Sequence, residues 1–157
     1  MSALDLAFAL ATRPGFDCLF DPNPATGLIE PYHDDVGFPT QGYGRLLSRV
    51  KWEDLKNYPA TEESFERAWC RAKLAKCIET VRKLCPVPLT DAQTAALADF
   101  VYNCGGGNLQ ISALRQAVIR GDHERVPDQF MRWTKAGGRE LRGLVRRRKA
   151  EVALYLS

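Results

Sequence analysis

The run Pro31-Tyr32-His33-Asp34-Asp35-Val36-Gly37-Phe38-Pro39-Thr40-Gln41-Gly42-Tyr43-Gly44 constrains this chain more than any other segment. Gly37 and Pro39 punctuate aromatic and β-branched residues, which is the pattern of a short β-hairpin. Gly42 and Gly44 let a ligand or a neighbouring strand approach the backbone closely. Two carboxylates and a hydroxyl therefore share one small turn-rich platform, and chemistry can sit there.

The rest of the chain reads mainly as helix. Residues 2 to about 12 form a first helix, stopped by Pro14-Gly15, and Asp21-Pro22-Asn23-Pro24-Ala25-Thr26-Gly27 is a loop. Strand-like sequence extends from about Leu28 to Leu47. Thr61 with Glu62 and Glu63 opens a long helix on which Phe65, Trp69, Ala72, Ala75, Ile78, Val81 and Cys85 recur at helical spacing, until Pro86 and Pro88 end it. Thr90-Asp91-Ala92-Gln93 is a capping box, and the small residues that follow suit a central, closely packed helix. Gly105-Gly106-Gly107 ends it. Short helices are expected at about 110 to 120 and 123 to 132, and a last one from about Arg139 to Leu156. This order implies an α+β fold, mostly α, with a small β-hairpin lobe and a larger helical lobe joined by the long helix. A single domain is expected over residues 1–157, with a cleft between the lobes.

Composition excludes several function classes. The 157 residues carry five cysteines, Cys18, Cys70, Cys77, Cys85 and Cys104, with no Cys-x-x-Cys pair and only two histidines, so neither a metal site nor a cofactor is expected. Cys70, Cys77 and Cys85 occupy apolar helical positions and read as buried thiols. The start, Ser2 to Ala11, carries Asp5, lacks a basic flank and is too short to cross a bilayer, so it reads as a helix rather than a secretion signal or a membrane insertion.

The spacing Tyr32-x-Asp34-x-x-Gly37-x-x-Thr40, followed by Gly42-Tyr43-Gly44, resembles the active-site signature of the phage-type lysozymes, glycoside hydrolase family 24. Phe100-Val101-Tyr102-Asn103-Cys104-Gly105, Leu114, Asp128 to Gly138, Gly143-Leu144 and Arg146-Arg147-Arg148 resemble that family in the same order. The resemblance spans nearly all of the chain from Gly27 onward, and an ordered set of strings is harder to produce by accident than any one of them. It implies the lysozyme-like fold and hydrolysis of the β-1,4 bond between N-acetylmuramic acid and N-acetylglucosamine in bacterial peptidoglycan. It also implies a monomer made in the host cytoplasm and released to the wall through a holin. A lytic transglycosylase and a peptidoglycan-binding homologue that does not cut are the alternatives.

Glycoside hydrolysis uses one carboxylic acid on the leaving oxygen and a second carboxylate for the water or the sugar cation. Asp34 takes the second role by resemblance, with the Thr40 hydroxyl orienting a water opposite the leaving group. Taken without its neighbours, Asp34 is a turn residue whose carboxylate binds backbone amides. Asp35, one residue out of register, points to the opposite face if the strand continues through it.

The acid departs from the family pattern. A glutamate stands there about nine positions before the aspartate, which is Ala25 here, and matching the end of the first helix instead gives Pro14-Gly15-Phe16. Glu30 is the only glutamate before the hairpin and so becomes the catalytic candidate. A fully extended segment would put it roughly 13 Å from Asp34, beyond the ~6.5–9.5 Å of an inverting pair, unless Pro31 bends the chain. Asp17 and Asp21 are the runners-up. Arg147 either reaches the acid or makes a structural ion pair.

Asn103 and Tyr32 are the candidate substrate contacts, the first through its side-chain amide and the second through its ring. Trp133 is expected to pack in the helical lobe, and His33 to lie at the surface. The cations from Arg132 to Lys149 suit the anionic peptides of the wall, while a net charge of only +3 and no aromatic-interleaved motif argue against nucleic acid.

Overall fold

The structure is a computed structural model that describes residues 1–16 and 21–157. Its first helix, α1 (Ala3–Ala11), opens with a capping box in which Ser2 and Asp5 satisfy each other's amides. Its buried face, Ala3, Ala7, Leu10 and Ala11, belongs to the core of the helical lobe. Among the described residues no helix is long and apolar enough to cross a membrane.

The small lobe is a three-stranded antiparallel sheet, β1 (Tyr32–His33), β2 (Pro39–Gln41) and β3 (Arg45–Leu46). Tyr32 pairs with Thr40 and His33 with Pro39, so the hairpin turns through Asp34 to Phe38. The regular strands are much shorter than the expected run from Leu28 to Leu47. Pro31 supplies no amide to a ladder, and Ile29 instead bridges Thr61.

An ion pair to the buried Glu66 fixes this lobe to the long helix α2 (Glu63–Leu84). Arg45 lies on Glu66, with Nη2 to Oε1 at 2.6 Å and Nε to Oε2 at 3.1 Å. Thr61 donates its hydroxyl to the same carboxylate at 2.9 Å. Thr61 is therefore not the helix cap that its place before two glutamates suggests, and the cap position, Glu62, makes no side-chain capping bond. Gly42 has φ +62°, and a Cβ there would collide with the Glu66 carboxylate, so the pair demands this glycine.

The centre of the helical lobe is α3 (Asp91–Cys104), opened by the Thr90–Gln93 capping box and buried continuously from Thr94 to Val101. It packs on α1, α2 and the last helix, α7 (Arg142–Tyr155). Gly105 ends α3, but Gly106 and Gly107 do not stay in the turn and instead begin α4 (Gly106–Ile111). Next come α5 (Ala113–Ile119) and α6 (Val126–Phe130). A hairpin of β4 (Lys135–Ala136) and β5 (Arg139–Glu140) then precedes α7, where helix was expected from Arg139. Gly137 and Gly138, at φ +59° and +78°, make that turn in a conformation a helix cannot use.

The thiols of Cys70, Cys77 and Cys85 are buried, and burial pushes Cys77 up to about 11. Cys18 lies outside the described residues.

Candidate active site

A cleft of about 460 Å³ runs between the hairpin and the helical lobe. Its hairpin wall is Tyr32, Asp34, Asp35, Val36, Thr40, Tyr43 and Leu46, and Asn103, Cys104, Asn108, Trp133, Lys135 and Arg147 line the other side. Tyr102, also on the lining, donates its hydroxyl to the Tyr43 carbonyl at 2.6 Å and so ties α3 to the hairpin.

The turn holds Asp34 by two bonds to a single oxygen. Oδ1 accepts the Val36 amide at 2.9 Å and the Phe38 amide at 2.8 Å, an arrangement typical of aspartate at the start of a turn. No described residue hydrogen-bonds Oδ2. The turn role and the functional one are therefore compatible, because one carboxylate oxygen shapes the hairpin while the other is left for a ligand.

Thr40 is 5% exposed, and its hydroxyl donates to the Phe38 carbonyl at 2.8 Å. With its only proton committed, Oγ1 meets the cleft as an acceptor. Strand alternation puts Tyr32 and Thr40, a cross-strand pair, on one face. Asp35 joins them in the cleft. The expectation that it would face away fails because the strand ends at His33, and alternation no longer applies within the turn.

Glu30, in contrast, is not brought to the cleft. Its side chain is exposed and approaches Asn23, Nδ2 to Oε1 at 3.5 Å. The cause is local, since Asn23 to Leu28 folds back on itself through Asn23 N to Leu28 O and Gly27 N to Asn23 O, and the adjacent Ile29 is tied to Thr61. The segment therefore leaves the sheet before Glu30 can follow the face of Tyr32. Asp21 is exposed and absent from the lining, while Asp17 lies outside the described residues. Among the described residues, Asp34 and Asp35 are the carboxylates of the cleft.

Behind the helical wall sits a network of four buried charges. Arg147 makes a bidentate pair with Asp99 at 2.7 and 2.8 Å, and its guanidinium also stacks near the rings of Phe16 and Tyr102. Arg148 contacts Glu151 at 2.7 Å, donates to Asn103 Oδ1 at 2.8 Å and touches Cys104 Sγ at 2.7 Å. Its Nε is also 2.7 Å from Glu151 Oε2, as an ion-pair contact without hydrogen-bond alignment. Burial opposes ionisation of both acids. Arg147 overcomes it at Asp99, which stays below the ordinary carboxylate value. At Glu151 burial prevails over Arg148, the neighbouring Asp99 charge adds to it, and the carboxyl is pushed well up. Two of the cations read from sequence as a wall-facing surface are thus internal.

Of the sequence candidates, Tyr32, Asp34, Thr40 and Asn103 converge on one cleft. His33 is half-buried on the other face, with Nε2 2.8 Å from the Glu53 carbonyl. Trp133 does both things, packing edge-on against Phe100 in the helical lobe and lining the cleft. Asn108 was not legible as a site residue, and Lys135 was legible only as one of the cations facing the wall. Asn108 reaches the cleft only because Gly106 restarts a helix directly after α3, and Lys135 only because Gly137-Gly138 folds a hairpin.

A family model described as phage lysozyme matches residues 27–151. The SAR-endolysin of Bacteriophage PS119 is 35% identical over 154 residues, covering 95% of this chain and 84% of that protein. Among solved structures, the muramidase domain of SpmX from Asticaccaulis excentricus superposes with a TM-score of 0.73 at 24% identity, over 96% of this chain and 95% of the other. The endolysin from Escherichia coli O157:H7 phage FAHEc1 gives 0.69 at 22% identity, over 99% and 90%. At these identities the two structures speak for the fold alone.

Proposed function

We propose that in this chain, which belongs to the phage lysozyme family and is a peptidoglycan-hydrolysing endolysin, Asp34 and Thr40 hold the water that attacks the glycosidic bond. The observation that carries this reading is the pair of acceptors, Asp34 Oδ2 and Thr40 Oγ1, on one wall of a cleft between lobes. A water that donates one proton to each acceptor turns a lone pair toward the sugar. As its O–H bond breaks, Asp34 takes the proton, and the C–O bond to the leaving sugar breaks on the opposite face.

The leaving oxygen needs a proton. Asp35 is the carboxylate we assign to it, because it shares the cleft and receives no hydrogen bond from a described residue. Asn103 and Tyr32 contact the sugar chain, and Lys135 faces the anionic peptide stems. The whole chain works as one lysozyme-like monomer at the peptidoglycan layer, with α1 as part of the fold and with neither membrane insertion nor nucleic acid involved.

Purified peptidoglycan incubated with the protein should release soluble muropeptides with reducing muramic acid ends, detected by mass spectrometry. Asp34→Asn and Asp35→Asn should each abolish release. Wall that binds the protein but yields no soluble product would replace this reading with a binding domain that does not cut. Loss in Asp17→Asn with full release by Asp35→Asn would move the proton donor to Asp17.

A further inference from the structure

We propose that Trp52 is a positioning residue for the reaction, one that clamps the Asp34 turn from outside the cleft. Among the described residues Trp52 is the one non-glycine with a positive φ, at +60°. Left-handed backbone is rare for a bulky side chain, and it persists only where the surroundings impose it. Burial does not account for it here, since the indole is 67% exposed and takes no part in the cleft lining.

What the conformation achieves is a grip on the hairpin. The Trp52 amide donates to the Gly37 carbonyl at 2.8 Å. Its indole covers Gly37 so closely that a Cβ there would stand 2.6 Å from Cε2 and 2.8 Å from Nε1. The residues beside Trp52 hold the rest of the turn. The Glu53 carbonyl lies 2.8 Å from His33 Nε2, and Lys51 Nζ sits 5.4 Å over the Phe38 ring. The His33 ring also tilts against the indole, with 5.2 Å between centroids. Residues 51–53 thus engage His33, Gly37 and Phe38, which bracket Asp34 in the chain.

The turn closes through Gly37 N to Asp34 O and Asp34 N to Phe38 O, both at 3.0 Å, and the Val36 and Phe38 amides fix Asp34 Oδ1. Gly37, at φ +97°, is the most permissive residue of that turn, and it is the one that Trp52 covers. Without the indole the two amides are free to shift, and Asp34 Oδ2 shifts with them. A misplacement of about 1 Å at a reacting group is enough to slow turnover heavily. This inference rests on the hydrolytic reading of the cleft, but the grip on the turn can be measured without turnover.

The test is Trp52→Gly, which suits the left-handed backbone, keeps the amide and removes the indole. On a soluble glycan strand its kcat should fall about tenfold or more while KM stays near wild type. Trp52→Phe, which restores a ring over Gly37, should recover most of the loss. Hydrogen exchange followed by NMR should show the Val36 and Phe38 amides exchanging faster in Trp52→Gly, with α3 as protected as in wild type. A wild-type kcat in Trp52→Gly, a loss confined to KM, or unchanged exchange at both amides would overturn the clamp. Loss of protection that extends to α3 would overturn it too, because Trp52 would then act on the whole fold. Wild type that yields no reducing ends would instead sink the hydrolysis, and faster exchange of the two amides would still identify Trp52 as the residue that holds the turn.

Discussion

Asp34 and Thr40 are coupled through one backbone residue, Phe38, whose amide donates to the Asp34 carboxylate at 2.8 Å and whose carbonyl accepts the Thr40 hydroxyl at 2.8 Å. The turn that shapes the hairpin thus also sets which atoms the two side chains present to the cleft.

Asp34→Asn should keep the turn, because asparagine accepts the same amides through its oxygen. It puts an NH2 where the water needs an acceptor. Activity on peptidoglycan should fall by about 10²–10⁴-fold with little change in melting temperature. A variant that retains most of its activity would show that Asp34 is a turn residue and nothing more.

Thr40→Ser retains the donor to Phe38 and the acceptor in the cleft, whereas Thr40→Val retains only the shape. Serine should stay within a few-fold of wild type, and valine should lose about 10²-fold through misplacement of the water. Equal activities in a turbidity assay would remove Thr40 from the mechanism.

Glu30→Gln should leave turnover unchanged, since the side chain is exposed and bonded toward Asn23. A collapse of activity with an intact fold would return the proton donor to Glu30.

That residue also shows where sequence reading reached its limit. The Thr90–Gln93 capping box, the central helix and the buried thiols of Cys70, Cys77 and Cys85 follow from local rules, and each is found as read. Glu30 depends on whether a strand persists through Pro31, and a bridge from Ile29 to Thr61, 32 positions on, decides that. Arg148 reads as surface charge and Arg147 as an ion-pair former with no partner named, until Asp99, 48 positions from Arg147, and Asn103, 45 positions from Arg148, are seen to hold them. Long-range partners of this kind leave no local signature.

The buried network predicts opposite pH responses. Asp99 lies below its ordinary value, so its contribution to stability is full above about pH 4 and fades as pH falls through the lower folded value. Glu151 lies above its ordinary value, so its contribution is full below about pH 4 and is lost as pH rises through the folded value. Glu151→Gln resembles the protonated form. Its melting temperature should gain on wild type as pH rises, and a pH-independent difference would contradict the assignment. Asp99→Asn strands Arg147 and should cost about 3–5 kcal/mol near neutrality.

The most direct test of the mechanism is the configuration of the first product, followed by proton NMR during cleavage of a soluble glycan strand. A water held by Asp34 and Thr40 opposite the leaving group predicts muramic acid released as the α-anomer, which then equilibrates. A β-anomer appearing first, or 1,6-anhydro ends formed without water, would contradict it.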